Sequence, residues 1–162
     1  MSENPYTPPS SPVRDRDPER TGSTLKAVSF GVLTDLLGTT LGGIVLLVVF
    51  STILVSQGRS PEDIGVVLLN SDAYLFVSFA VGMTFTMLGG YVAARVANHR
   101  EYRHAAIVGI IMLVFGEIMI STDPSSTPLS IRIIGDLLVI PAALLGAHVR
   151  VNTKTRTPVQ RP

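Results

Sequence analysis

The sequence predicts an all-α, polytopic membrane protein with four transmembrane helices. Four long apolar stretches fill most of the 162 residues, and only 15% of the chain is charged, where soluble domains carry about 25%. Lys and Arg gather in the loops on only one side of these stretches. Lipid leaves backbone N–H and C=O groups unpaired unless the spanning segments are helices or closed barrels, so we interpret the stretches as helices.

The N-terminal part of the chain is expected to be a cytoplasmic tail followed by a long first helix. Residues 1–24 are rich in Pro, Ser and charge and are expected to be disordered, because they bury too little apolar surface to offset ordering. A four-helix transmembrane domain is expected over residues 25–151. Its first helix is predicted at about 27–56, with Asp35 as its only charged residue. This helix exceeds the roughly 20 residues that a bilayer needs, which predicts a tilt or a projection into the cytoplasm.

Three further spans and one short helix follow. Ser60-Pro61-Glu62-Asp63 combines a capping residue, a Pro and two acids, and predicts a short interfacial helix at about 61–69. The remaining spans are predicted at about 73–94, 105–121 and 129–149, and Pro141 interrupts the last of them. Asp123-Pro124 is expected to end the third span, and Thr127-Pro128 to begin the fourth. Residues 152–162 are expected to form a polar cytoplasmic tail.

Basic residues predict the orientation and the lipid contacts. The tails and the middle loop carry most of the Lys and Arg, which places both termini in the cytoplasm of a cell (inner or plasma) membrane. Anionic lipid head groups are expected at four of these residues, namely Arg95, Arg100, Arg103 and Arg150. The net charge of +1 argues against nucleic acid as a partner. The absence of Cys excludes disulfides and thiolate chemistry.

Two pairs of similar helix ends suggest two tandem helical hairpins. The start of the first helix, 26–31, resembles the start of the third, 104–109, and the end of the second, 88–95, resembles the end of the fourth, 145–150. A duplication related by a pseudo-twofold axis along the membrane normal would explain both similarities. The alternative is that all cytoplasmic helix ends look alike, because Gly and Ala pack closely and Arg anchors.

Small residues recur at every fourth position of the second span and predict a helix-packing groove. The groove consists of Ser78, Gly82, Thr86, Gly90 and Ala94. Helices associate in lipid through close backbone approach, which small residues permit. We expect this groove either to pack the four-helix core or to dock a second subunit, so that a homo-oligomer or a complex with another membrane protein is a candidate assembly.

Four ionisable residues within the spans form a candidate intramembrane polar cluster: Asp35, Glu117, Arg132 and Asp136. Such residues are costly in lipid and are candidates for function. One interpretation is a structural salt bridge in which Arg132 pairs with Glu117 and Asp136. The other is a proton or cation path that uses Asp35 and Glu117. Placement at the membrane interface, where the cost is small, is a third interpretation.

Other chemistry has little support in the sequence. His99, His104 and His148 match no zinc spacing, and the Gly-Gly pairs lie inside helices rather than in a phosphate-binding loop. We therefore expect no catalytic residue, no metal and no cofactor.

Two adjoining motifs resemble a group of small four-helix bacterial membrane proteins of unknown function. The motifs are Leu88-Gly-Gly-Tyr-Val-Ala-Ala-Arg95 and, after a short basic loop, His104-Ala-Ala-Ile-Val-Gly109. In that group a Gly-Gly-x-x-Ala-x-Arg helix end precedes a His-Gly-x-x-x-Gly helix start, and this chain departs from the pattern at Ala105. The resemblance implies four helices and no particular activity. We expect a non-enzymatic packing or partner-binding membrane component; the alternative is a small oligomeric transporter or channel-like protein with a carboxylate-lined path.

Overall fold

Five α-helices make up the computed structural model, which describes residues 22–122 and 129–155. They are α1 (Thr24–Ser56), α2 (Ile64–Leu69), α3 (Asp72–Ala97), α4 (Glu101–Thr122) and α5 (Leu129–Thr155). All regular secondary structure within these residues is helical, and α1, α3, α4 and α5 are long and apolar enough to cross a membrane. The all-α class with four spans is confirmed.

The four long helices run alternately up and down between two ends of a bundle. At one end, which we call the basal end, Gly22 N–H donates to the Ala97 carbonyl at 3.1 Å and Lys154 lies 3.4 Å from Glu101. At the other, the distal end, the rings of Phe50 and Tyr74 meet edge to face with centroids 5.3 Å apart. Both described chain ends therefore lie at the basal end.

The long helices extend further than the apolar stretches predict. At the basal end α3 continues to Ala97, α4 begins at Glu101 and α5 continues to Thr155, through residues expected to be loop or tail. The short helix is instead shorter than predicted, because residues 61–63 form a turn and α2 begins at Ile64. The described residues do not include 1–21, 123–128 and 156–162. Most of both predicted tails therefore lies outside them, as do the predicted helix boundaries at Asp123-Pro124 and Thr127-Pro128.

Glycines bring α1 and α3 into close antiparallel contact. A Cβ added at Gly31 would lie 2.8 Å from the Gly89 carbonyl oxygen, and one added at Gly89 would lie 2.7 Å from the Gly31 carbonyl oxygen. Further along α1, a Cβ at Gly38 would enter the ring of Phe85. Backbones this close give the dispersion contact that holds helices together in lipid, where the hydrophobic effect is lacking.

The central helix is α3, which packs against α1, α4 and α5. A Cβ at Gly90 would overlap the Ala143 carbonyl group of α5, and one at Gly146 of α5 would overlap the Met87 carbonyl oxygen of α3. At the basal end a cluster of three fully buried alanines joins three helices: Ala94 of α3, Ala105 of α4 and Ala147 of α5.

The two expected hairpins are present as the antiparallel pairs α1/α3 and α4/α5, but the expected pseudo-twofold axis is not obeyed. Such an axis would superimpose α1 on α4 and α3 on α5. A contact between α3 and α4 would then be matched by an equivalent contact between α5 and α1. Helix α4 does pack against α3, whereas no contact joins α1 and α5 among the described residues. The two hairpins therefore do not pack in equivalent surroundings.

Full burial is confined to the basal half of the bundle, although α1 and α3 still meet closely at distal Gly42, where an added Cβ would lie 2.7 Å from the Val81 side chain. Every described buried residue of the four long helices lies in the basal half of its helix, from Ala27 in α1 to Ala147 in α5. In the distal half, a Cβ added at Gly43, Gly82 or Gly116 would meet no described atom within 4 Å beyond the adjacent backbone of its own helix. We call these three the open glycines.

Candidate functional site

The four residues of the predicted polar cluster do not form one cluster. Glu117, Arg132 and Asp136 lie together in the distal half, between α4 and α5. Asp35 lies apart from them, in the basal half of α1 against α3. The carboxyl groups of Asp35, Glu117 and Asp136 therefore do not form a continuous row that could line a single path.

The distal group is an ion pair joined by a second carboxyl group. Arg132 Nε donates to Glu117 Oε1 at 3.0 Å, and a second guanidinium nitrogen donates to Oε2, which makes the contact bidentate. Asp136 lies one turn along α5 from Arg132 and within hydrogen-bonding reach of Glu117. The side chains of Arg132 and Glu117 are about one third exposed, so this group reaches the protein surface. Two acids with one base leave it one acid in excess.

Asp35 is instead enclosed, with 1% of its surface exposed. Thr39 Oγ1 donates to its Oδ1 at 3.1 Å, and the side chain of Thr86 of α3 lies beside the carboxyl group. The other carboxyl oxygen, Oδ2, is buried and has no hydrogen-bond partner in the described part of the chain. The sequence places Asp35 in a span, but its enclosure depends on which face of α1 meets α3.

The predicted groove does not form a single face. A step of four residues exceeds one helical turn by about 40°, so the five residues spread over about 160°, nearly half of the helix circumference. At its basal end Gly90 abuts Ala143 of α5 and Ala94 joins the alanine cluster. Thr86 turns towards Asp35 of α1, and Gly82 meets no described side chain or neighbouring helix within 4 Å. Ser78 is half-buried, and its hydroxyl has no hydrogen-bond partner among the described residues.

A polar contact that the sequence analysis did not predict closes the basal end. His104 is 2% exposed, and its Nδ1 donates to the Arg100 carbonyl oxygen at 3.1 Å. The other ring nitrogen, Nε2, lies within hydrogen-bonding distance of Thr24 Oγ1, at 3.2 Å. The start of α1 is thereby joined to the start of α4. The only sequence signal for it was a histidine immediately before the predicted third span.

The four arginines expected at lipid head groups all lie at the basal end. Arg95, Arg100 and Arg103 are exposed, whereas Arg150 is half-buried and its Nε has no hydrogen-bond partner among the described residues. The remaining polar contacts of this end join α4 to α5. Tyr102 and Asn152 lie within hydrogen-bonding distance of the two ring nitrogens of His148, at 2.9 and 2.8 Å.

No protein-family model, no curated protein and no solved structure matches this chain.

Proposed function

We propose that this chain is a non-enzymatic, multi-pass protein of the cell membrane that acts by binding another membrane-spanning chain. Its apolar surface supports the membrane location. Large apolar side chains are exposed along all four long helices, as lipid requires and water does not favour.

The proposed orientation places the basal end in the cytoplasm. The exposed residues Arg95, Arg100 and Arg103 lie at this end, which agrees with the tendency of Lys and Arg to remain on the cytoplasmic side. There, with Arg150, they would contact anionic lipid head groups. The proposal also fits the resemblance to small four-helix bacterial membrane proteins.

The observation that carries the binding role is the contrast between glycines that neighbouring helices cover and the open glycines, which they do not cover. Neighbouring helices occupy the space beside Gly31, Gly89 and Gly90 of the basal half. They do not occupy the space beside the open glycines of the distal half. Glycine allows a helix of a second chain to approach the backbone closely, which is how helices associate in lipid. We therefore place the contact with the partner, a second copy or another protein, at the open glycines.

The test is crosslinking in native membranes, followed by identification of what is joined to the tagged full chain. Gly82→Leu should abolish the crosslinked product without unfolding the monomer, because a Cβ there meets no described atom within 4 Å. Ala80→Leu is the matched control, since Ala80 is exposed and lies two residues away on the same helix. Its product should persist.

A product that is equally abundant in wild type, Gly82→Leu and Ala80→Leu would refute docking at this site. Gly90→Leu serves a different purpose: its side chain would strike Ala143 within the same chain. It should reduce the amount of folded monomer, whatever the partner.

A second candidate function is a small oligomeric transporter or channel-like protein with a proton or cation path. The observation in its favour is the distal group, in which Glu117 and Asp136 share a single Arg132 and reach the surface. Proteoliposomes that contain the purified chain should then show proton or cation flux that Glu117→Gln reduces. Equal and background-level flux in wild type and variant would refute this candidate.

A further inference from the structure

Asp35 lies one turn along α1 from Gly31, beside the close contact between the backbones of α1 and α3. A Cβ added to Gly89 would lie 3.1 Å from the Asp35 Cβ and 2.7 Å from the Gly31 carbonyl oxygen. The carboxyl group is thus enclosed by two helix backbones, with 1% of the residue exposed. Neither solvent nor lipid head groups reach it in this arrangement.

No charged group among the described residues interacts electrostatically with the Asp35 carboxyl group. The side chains that interact with it are the hydroxyl groups of Thr39 and Thr86. On α1, Lys26 is nine residues away, about 13 Å at the usual helical rise. On α3, Arg95 is exposed at the basal end. On α4, the nearest histidine, His104, is engaged by Thr24 and the Arg100 carbonyl group. An ionised Asp35 would therefore have no counter-ion.

The hydrogen bonds around the carboxyl group fit the protonated form. Oδ1 accepts from Thr39 at 3.1 Å, which suits either form. Oδ2 receives no hydrogen bond from any described group although it is buried, and an ionised oxygen without donor or cation is strongly unfavourable in an apolar interior. A protonated Oδ2 needs an acceptor instead, and the hydroxyl oxygen of Thr86 can supply one.

Other occupants fit the site less well than a proton. Hard metal cations take about six or more oxygen ligands, and this site offers one carboxyl group and two hydroxyls. A buried water molecule needs space and two to four polar partners, whereas the glycine contact at Gly31 and Gly89 draws the helices together at this level.

We propose that Asp35 is a proton-binding site, held as a neutral acid that accepts from Thr39 and donates to Thr86 across the α1–α3 contact. The inference rests on the membrane location proposed above and on neither the docking nor the transport role. Ionisation requires α1 and α3 to separate, so the proton is bound as long as the helices remain in contact.

Infrared spectroscopy of the full-length protein in lipid vesicles at pH 7 tests the protonation state directly. The wild type should show the carbonyl stretch of a protonated carboxylic acid, and Asp35→Asn should lose the intensity that Asp35 contributes. Glu117→Gln should retain the band, because Glu117 is paired with Arg132. A wild-type spectrum identical to that of Asp35→Asn in this region would overturn the proposal.

The pH dependence of unfolding gives an independent measurement. The folded protein holds a proton that an exposed aspartate releases above about pH 5, so the equilibrium constant for unfolding should rise with pH, by up to about tenfold per unit. Asp35→Asn keeps an acceptor and a donor in the same positions and should lack this contribution. Equal pH dependence in the two proteins would contradict a bound proton. Purified protein that stays in solution without detergent would instead refute the membrane location, and the infrared result would still decide the state of Asp35.

Discussion

The same substitution at two glycines of α3 should have opposite consequences for stability. Gly82 and Gly90 lie eight residues apart in the interior of one helix, so replacement by Ala changes their helix propensity by the same amount, up to about 1 kcal/mol in favour of Ala. Their surroundings differ. A Cβ at Gly82 meets no described atom within 4 Å, and one at Gly90 would lie 2.7 Å from the Ala143 carbonyl carbon and 2.8 Å from its Cα.

The magnitude follows from the distance by which α3 and α5 must separate. Carbon atoms in contact lie about 3.5–4.0 Å apart, so Gly90→Ala forces the helices apart by roughly 1 Å, which forfeits a quarter to a half of each nearby dispersion contact. Overpacking of this kind typically costs about 1–3 kcal/mol. Because the propensity term cancels between the two variants, Gly90→Ala should be less stable than Gly82→Ala by about 1–3 kcal/mol.

Reversible unfolding by SDS in mixed micelles, followed by circular dichroism, measures this difference. Both variants should keep the wild-type helix content before unfolding begins. If Gly90→Ala proved as stable as Gly82→Ala, or more stable, the close contact between α3 and α5 would not be present in the folded protein.

Three further predictions concern polar and turn residues and use the same unfolding measurement. Arg132→Gln should destabilise more than Glu117→Gln, because it leaves both Glu117 and Asp136 without a counter-charge, whereas Glu117→Gln leaves Asp136 to pair with Arg132; a larger loss in Glu117→Gln would contradict this arrangement. Asn98 ends α3 with a left-handed φ of 53°, so Asn98→Ala should cost about 1 kcal/mol and Asn98→Gly much less; equal losses would argue against that conformation. Lys154→Ala should change the free energy of unfolding by less than about 0.5 kcal/mol, because its 3.4 Å contact with Glu101 is solvent-exposed; a larger loss would show a stronger contact.

The sequence predicts which segments are helical spans far better than where the helices end. Hydropathy marks the part of a helix that lies in lipid. The polar residues around Glu101 and between Arg150 and Thr155 are nonetheless helical, since they continue the hydrogen bonding of the apolar segment beside them. A change from apolar to polar sequence therefore locates the edge of the bilayer rather than the end of a helix.

Which side chains meet was predictable only in part. A salt bridge between Glu117 and Arg132 was one of the interpretations of the sequence, and the structure brings these two side chains together. Depth alone does not give the direction in which a helix faces. For that reason the enclosure of Asp35 and the contact of His104 with Thr24 were not foreseen, and a stripe of small residues expected to present one face turned out to wind around α3.

The central position of α3 has a consequence for synthesis of the protein. Helix α1 contacts α3 but not α5 within the described chain, so the first hairpin needs nothing from the later helices to form its glycine contacts. A ribosome that has released residues up to Ala97 has already supplied both partners. Helices α4 and α5 can then join an existing pair, which makes assembly in the order of translation the natural route for this chain.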